Sequence, residues 1–458
     1  MASITGIGSG MDINSIVTAL VNAEKAPKEG QLARLQKTTS TKLSALGQLK
    51  SALSDFQTAL KNLNKTSLFE NRAAVSSDLA ALTASADKTA TTGSYSLKIS
   101  QLATGSKVAS TALSSSYTAG GGTLTVKLGA ADTGIDVPIA AGASLAEVRD
   151  TLNVALKDSG ITANLVTNPN DGMTRLVLTS TNTGEGKDIE VSSSDAGLSD
   201  LTIGAESSGS MVLEAASNAK FSIDDLALES ATNEVSGAVS GVTFKLLAAD
   251  PKKTLSISVD QDRGGVTENI KAFVEAYNKL VTTSNSLTKV TPTGEGSAPT
   301  TGGLVGDATI RSLLGGVRSE LVNPGGADGV RVLADLGITT EKDGTLAIDE
   351  DKLSKALTNS FDSVAGFFTG DSGLMNRLNQ RIDGYIQTGG ILEQRMKGLE
   401  STARGIDLQK EALARRIEKV QARLFAQFNA MDALVGQLTQ TSDRLAQSLA
   451  SLPGLVKE

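Results

Sequence analysis

Histidine and cysteine are both absent from this chain of 458 residues. Without them there is no imidazole base, no thiolate nucleophile and no zinc set of His or Cys ligands. No disulfide can form, so neither an oxidising nor a reducing compartment is implied. Tryptophan is missing too, and aromatic residues make up 3% of the chain. Cores must be assembled from Leu, Val, Ile and Ala, which predicts several domains of modest stability rather than one large core. No apolar run approaches the roughly 18 residues of a membrane-spanning helix. No Lys- or Arg-rich run stands out, and 43 basic against 50 acidic residues give a net charge of -7. That balance argues against a nucleic acid or a membrane surface as partner. The N-terminal stretch has neither a positive n-region nor an apolar h-region, with Lys25 its first basic residue. It does not read as a secretory signal peptide.

Motifs that carry chemistry are equally thin. Gly6, Gly8 and Gly10 resemble a dinucleotide loop, but no strand precedes them and the third glycine of the fingerprint is misplaced. A flexible tail is the better reading. Asp260 to Gly265 begins like an EF-hand loop, yet Lys271 stands at the twelfth position, where a bidentate glutamate is required. A turn between a strand and a helix is expected there. Asp349, Glu350 and Asp351 diverge on a helix, and they favour its N-terminus through the dipole. Gly-x-Ser-x-Gly elbows and Walker loops are lacking. No catalytic residue, metal ligand or cofactor site is expected, and the chain does not read as an enzyme.

What the sequence does have is a matching pair of helical seams at its two ends. From Leu32, apolar residues recur in alternating steps of three and four through Leu35, Leu46, Leu49, Leu53, Phe56, Leu60 and Leu63, interrupted by Thr39 and Lys42. The far end repeats the pattern through Leu392, Met396, Leu399, Ala403, Ile406, Lys410, Leu413, Ile417, Val420 and Leu424. It resumes, shifted, at Phe428, Met431, Val435, Leu438, Ser442, Leu445, Leu449 and Leu452. Two positions per heptad is coiled-coil spacing, so each seam needs a partner helix. The simplest partner for one seam is the other, which brings the chain ends together and carries everything between as an insertion. The consecutive steps of four from Val420 to Leu424 to Phe428 make a local repeat of about 11 residues, so partner geometry should change near residue 425. Lys410 and Ser442 on the seam point to register-setting in assembly, while plain core packing competes as the reading of Leu46 to Leu63.

Before and between the seams the pattern changes. Asp12 is a candidate N-cap for a short amphipathic segment carrying Ile13, Ile16, Val17, Leu20 and Val21. Pro27 should break that helix or open the next. From Val75 the period falls to two, and Tyr95 to Leu102 alternates as a half-buried strand. Thr104 to Gly122, rich in Ser, Thr, Ala and Gly, reads as a linker. Strands at 123–128, 135–139, 161–167 and 175–180 then surround a helix whose Ser144 and Glu147 form a capping box. Strand patterning returns at 221–228, 242–247 and 254–259, and helix periodicity from Ile270 to Val281. Helices at 307–321, 349–358 and 360–368 lead into the second seam.

In order along the chain stand Gly6-Ile-Gly-Ser-Gly-Met-Asp-Ile-Asn-Ser-Ile-Val-Thr-Ala-Leu, Glu24-Lys-Ala-Pro, Tyr95-Ser-Leu-Lys-Ile-Ser-Gln-Leu-Ala and Val242-Thr-Phe-Lys-Leu. They continue with Phe273-Val-Glu-Ala-Tyr-Asn-Lys-Leu, Gly303-Leu-Val-Gly-Asp-Ala-Thr, Leu336-Gly-Ile-Thr-Thr and Asp343-Gly-Thr-Leu. Over nearly its full length the sequence thereby resembles the flagellar filament-cap family, FliD, of the hook-associated group. Ser144-Leu-Ala-Glu-Val-Arg-Asp-Thr-Leu-Asn with Thr162-Ala-Asn-Leu-Val resembles a repeat of flagellins and their relatives.

The resemblance implies a protein secreted through the flagellar type III channel to the distal tip of the filament. There it would retain exported flagellin and promote its folding and insertion. It implies flagellin as partner, further copies in a closed ring (pentamer or hexamer), hook-associated junction proteins before filament growth, and a cytoplasmic export chaperone on the C-terminal helix. A filament or hook-filament junction subunit, and a surface adhesin acting through its heads, are the alternatives. The expected fold is α+β and multidomain, with terminal coiled-coil-like helices, a helical leg and two inserted β-rich head domains. Residues 1–40 and 415–458 are the terminal docking region, 41–68 and 264–414 the leg, 69–117 and 218–263 one head, and 118–217 the outer head with the flagellin-like repeat. The seam and assembly residues expected to matter are Leu46, Leu49, Leu53, Phe56, Leu60, Leu413, Ile417, Val420, Leu424, Phe428 and Met431.

Overall fold

The computed structural model describes residues 10–204, 207–292, 299–325 and 329–450; Gly6, Gly8 and Leu452 lie outside them. The chain divides into two compact units, Met1–Thr66 with Val266–Glu458, and Ser67–Gly265. The first unit opens with α1 (Ile13–Leu63), whose N-cap Asp12 accepts a hydrogen bond from the Ser15 amide at 3.0 Å. Pro27 neither breaks this helix nor starts a new one. A proline inside a helix forfeits one hydrogen bond, and here its ring is solvent-exposed while Val21 and Leu32 on either side are buried. Packing at both flanks outweighs the local penalty.

After α2 (Thr66–Glu70) the second unit begins with β1 (Arg72–Ser76), β2 (Leu82–Ala86) and β3 (Gly93–Gln101). The chain then departs through β4 (Gly105–Ala109), β5 (Gly122–Leu128), β6 (Ile135–Ile139), α3 (Leu145–Ala155), β7 (Ile161–Thr167), β8 (Thr174–Thr183), β9 (Ile189–Ser192) and β10 (Met211–Glu214). It returns as β11 (Ala219–Ile223), β12 (Leu226–Ser230), β13 (Glu234–Val239), β14 (Val242–Leu246) and β15 (Asp250–Gln261). Sheets ordered β1-β15-β3-β11-β12 and β13-β14-β2 enclose one core, built on Leu97, Ile99, Phe221, Phe244 and Ile257. Sheets ordered β10-β4-β8-β7 and β6-β5-β9 enclose a second, with Val148, Leu152 and Leu156 of the helical segment fully buried. The departing and returning strands β3 and β11 pair with each other, and Thr104 and Ser217 exchange backbone hydrogen bonds at 3.0 and 3.1 Å where the chain crosses. One domain is thus inserted into the other through a two-stranded neck.

Alternation along Tyr95 to Leu102 is realised in β3, where Leu97 and Ile99 face the core. Thr104 to Gly122 is not a linker. Its β4 lies inside a four-stranded sheet, and Ser106 and Ser110 are fully buried because their hydroxyls accept the Ile189 and Leu176 amides at 3.0 Å. A strand of small polar residues carries no hydrophobic alternation, so nothing in its pattern marks it. The capping box at Ser144 and Glu147 is formed, each side chain taking the other residue's backbone amide.

The first unit resumes with α4 (Arg263–Thr288), the short hairpin β16 (Val290–Thr291) and β17 (Thr300–Thr301), and α5 (Ala308–Val322). There follow β18 (Ile338–Thr340), β19 (Leu346–Ile348), α6 (Glu350–Asn359), α7 (Phe361–Phe368), α8 (Leu374–Ile386) and α9 (Ile391–Ala450). Asp349 caps α6 with Glu350 and Asp351 in its first turn. The calcium-like stretch is a strand-to-helix turn: Asp260 is paired with Arg263 at 2.9 Å, and Asp262 accepts the Gly265 amide.

A clasp closes this helical unit. Asp307, the N-cap of α5, receives both guanidinium nitrogens of Arg395 from α9 at 3.0 and 2.5 Å, and the Thr309 amide at 2.8 Å. Arg395 beside it, helped by that amide, holds the Asp307 carboxyl below the usual carboxylate range. The folded state therefore favours the ionised form. Its stabilisation is complete above the unfolded value of about 3.9 and is lost as pH falls through the lower folded value. Arg395→Ala should cost about 2 kcal/mol in urea unfolding at neutral pH, since Asp307 is nearly enclosed. In Asp307→Asn the part of the acid-limb loss of stability that belongs to this carboxyl should disappear.

Candidate functional site: the terminal helices

Along α1 and α9 the burial of the apolar seam falls off in three stages. In the first, Leu46, Leu49, Leu53, Phe56 and Leu60 are completely buried. The Phe56 ring stands 5.9 Å from Phe273 and 6.0 Å from Tyr277 on α4. Lys279 pairs with Asp55 at 2.8 Å, and Gln57 donates to Asn379 of α8 at 3.1 Å. Aromatic packing and these polar ties enclose the second half of α1 between neighbours. These five residues offer no surface to another molecule.

In the second stage α1 has α9 as its partner. Ile13, Val17 and Val21 bury themselves against Ile417 and Val420, with Leu413, Leu424, Phe425 and Phe428 partly buried around them. The helices run antiparallel, as the cross-links Glu24 to Arg416 at 2.9 Å and Gln36 to Lys410 show. Lys410, on the apolar line by spacing, hydrogen-bonds across to Gln36, one turn from the buried Thr39. A polar layer of this kind tolerates only one register.

In the third stage, beyond Phe428, the apolar line loses its cover, although Asp432 stays buried within it. α1 begins at Ile13, while α9 continues beyond Phe428 to Ala450. Met431, Leu434, Leu438, Leu445 and Leu449 are exposed by 41 to 65%, and Ser442 is exposed with them. Between Leu424 and Ala450 the charged residues are Asp432, Asp443 and Arg444. Sequence spacing identified this line but not its exposure, since a seam looks the same whether or not its partner lies in the same chain. Leu434, one turn before Leu438, was not on the expected line. The cross-links Glu24 to Arg416 and Gln36 to Lys410 had no signal beyond their charge and polarity. No group of His, Cys, Asp or Glu able to hold a metal occurs among the described residues.

Comparison with known proteins gives three family matches: the flagellar hook-associated protein 2 N-terminus over residues 9–106, its C-terminus over 216–440, and the flagellin hook IN motif over 123–182. A-type flagellar hook-associated protein 2 of Pseudomonas aeruginosa is 54% identical over 100% of this chain and 99% of its own. Flagellar hook-associated protein 2 of Escherichia coli K12 is 33% identical, over 98% of each chain. The crystal structure of the D1-D2-D3 domains of the flagellar cap protein FliD from Escherichia coli matches with a TM-score of 0.59 and 31% identity. It covers 78% of this chain and 99% of that one.

The graded burial makes one substitution diagnostic at two places. Leu53→Asp sets a carboxylate in a sealed apolar layer and should cost several kcal/mol, on the order of 3 to 5, in chemical denaturation. Leu438→Asp, on the bare stretch, should change stability by about 0.5 kcal/mol or less. Equal losses at both positions would mean that the distal part of α9 is packed in the free protein.

Proposed function

The chain belongs to the flagellar hook-associated protein 2 family, and we propose that it caps the distal end of the bacterial flagellar filament as a structural protein rather than an enzyme. The observation that carries this reading is the last stage of α9: a long helix with an exposed apolar line and almost no charge. Such a face is unsuited to water and suited to a bundle of other helices.

In this division residues 1–40 and 415–458 dock into the filament end, 41–68 with 264–414 form the leg, and 69–104 with 217–263 and 105–216 form the two heads. The outer head starts at 105 rather than 118 because β4 pairs with β8 and Val108 and Leu113 lie in its core. Leu46, Leu49, Leu53, Phe56 and Leu60 keep the leg rigid from within. Leu413, Ile417, Val420, Leu424 and Phe428 hold the terminal helices together, and Met431 opens the stretch that meets the filament. Only part of the docking helix is prepacked, so binding includes an ordering cost that lowers affinity and lets the cap move as subunits are added.

The heads retain exported flagellin while it folds, and copies of the chain close into a ring, a pentamer or hexamer. Hook-associated junction proteins form the seat before the filament grows. An export chaperone covers the exposed apolar line of α9 before secretion, where it would otherwise promote aggregation.

Among the described residues a chain ending at Ala430 loses no buried apolar residue of α9, its one buried loss being Asp432. It should therefore unfold like the full chain within about 0.5 kcal/mol. In a strain lacking its own cap it should nonetheless leave flagellin in the medium and fail to restore swimming. Swimming restored by the shortened chain would show that the distal helix is dispensable and remove the basis of the docking assignment.

A further inference from the structure

The buried line of α9 fixes its heptad, with Lys410, Ile417 and Leu424 at position a and Ile406, Leu413 and Val420 at position d. Positions e and b then form one flank of the helix, and c and g the other. From Asp407 to Arg423 these flanks carry opposite charge. Asp407 at e, with Glu411 and Glu418 at b, occupies one flank; Arg416 and Arg423 at g, with Lys419 at c, occupies the other. All six are solvent-exposed. Nearer the leg Lys397 and Arg404 interrupt the acidic flank, so the zoning is confined to this stretch.

The pairing within the chain leaves most of these charges unanswered. Arg416 is taken by Glu24, and Arg415 stands 3.7 Å from Glu411. Asp407, Glu418, Lys419 and Arg423 have no ion pair among the described residues. Lys419 and Arg423 are like charges one turn apart, an arrangement unfavourable on an isolated helix. Elsewhere on α1 and α9 the same spacing joins opposite charges, as in Lys25 with Glu29 and Glu393 with Lys397.

We infer that the acidic flank of α9 in one copy docks against the basic flank of α9 in the next, so that the helices stand side by side and parallel. Each helix carries both halves of the contact at one height. A neighbour at equal height sets Glu411 within five residues of Arg416, and Glu418 within five of Arg416, Lys419 and Arg423, or about 8 Å along the axis. Lysine and arginine side chains span that offset. A two-fold pair made through either flank is disfavoured, because it would set acid on acid or base on base. A head-to-tail contact repeated around an axis closes into a ring. The inference rests on the cap reading for the expectation that a ring is the assembled form.

The test uses the full chain and two double variants, Lys419→Glu with Arg423→Glu, and Glu411→Lys with Glu418→Lys. Sedimentation velocity at low and high salt follows assembly, and circular dichroism confirms the helices. The parent should associate at low salt and weaken as salt rises. Each variant alone, with two flanks of like sign, should bind itself at least about tenfold more weakly. An equimolar mixture should recover association, since acidic and basic helices can then alternate. Parent-like assembly by either variant, a mixture no better than its parts, or a parent monomeric at every salt would each overturn the proposal, the last leaving these flanks to a different protein. Variants that still form rings and support swimming would leave the cap reading intact while removing this interface. A parent that supports no swimming in a capless strain would count against the cap reading itself.

Discussion

The antiparallel return of α9 onto α1 is the constraint on which the first unit depends. Apolar residues at the start of the chain are buried only because residues some four hundred positions later come back to meet them. Everything between must therefore leave and re-enter at neighbouring points. The same solution recurs one level down, where β3 and β11 pair and Thr104 and Ser217 bridge the neck of the inserted domain. Each insertion is attached by two strands whose backbone groups satisfy one another. A large outer domain can be carried this way without leaving unpaired amides at the junction.

Along that pair of helices the structure grades from sealed to bare. Phe56 sits between two aromatic rings, Ile417 has a few apolar neighbours, and Leu445 is exposed. Local opening follows burial, so amide protection should fall in the same order along the pair. A gradient of this kind anchors a protein by one end while leaving the other free to repack. Lys410 and Thr39 sit where the sealed part gives way, and a polar layer there keeps loosening of the tip from shifting the register of the leg.

Much of this was legible in the sequence because it is periodic. The heptads of both seams, the alternation of Tyr95 to Leu102 and the Ser144 to Glu147 cap are local signals, and the helices, strand and cap they mark all form, though Leu35 of the first seam is exposed. What was not legible depends on residues far away. Thr104 to Gly122 looks like a linker until Ser106 and Ser110 find the Ile189 and Leu176 amides, and no local pattern encodes such a partner. Pro27 argues for a break that packing on both sides overrides. Leu60 and Leu445 occupy equivalent places in identical patterns. The difference between a buried core and an exposed seam is the presence of a partner, which spacing alone cannot supply.

The absence of histidine acquires a physical meaning once the exposed charges of α9 are considered. Asp, Glu, Lys and Arg side chains ordinarily change charge well away from neutrality, whereas histidine would switch within it. The polarity of α9 between Asp407 and Arg423 rests on carboxylates, amines and guanidinium groups, with no histidine among them. Ionic strength, which screens exposed pairs within about 10 Å at moderate salt, is then the variable that tunes contacts at this surface. The missing cysteines act in the same direction, since no thiol is present to crosslink copies or respond to oxidants. Apolar burial fixes the helices to one another, and fixed charge is left to decide what stands beside them.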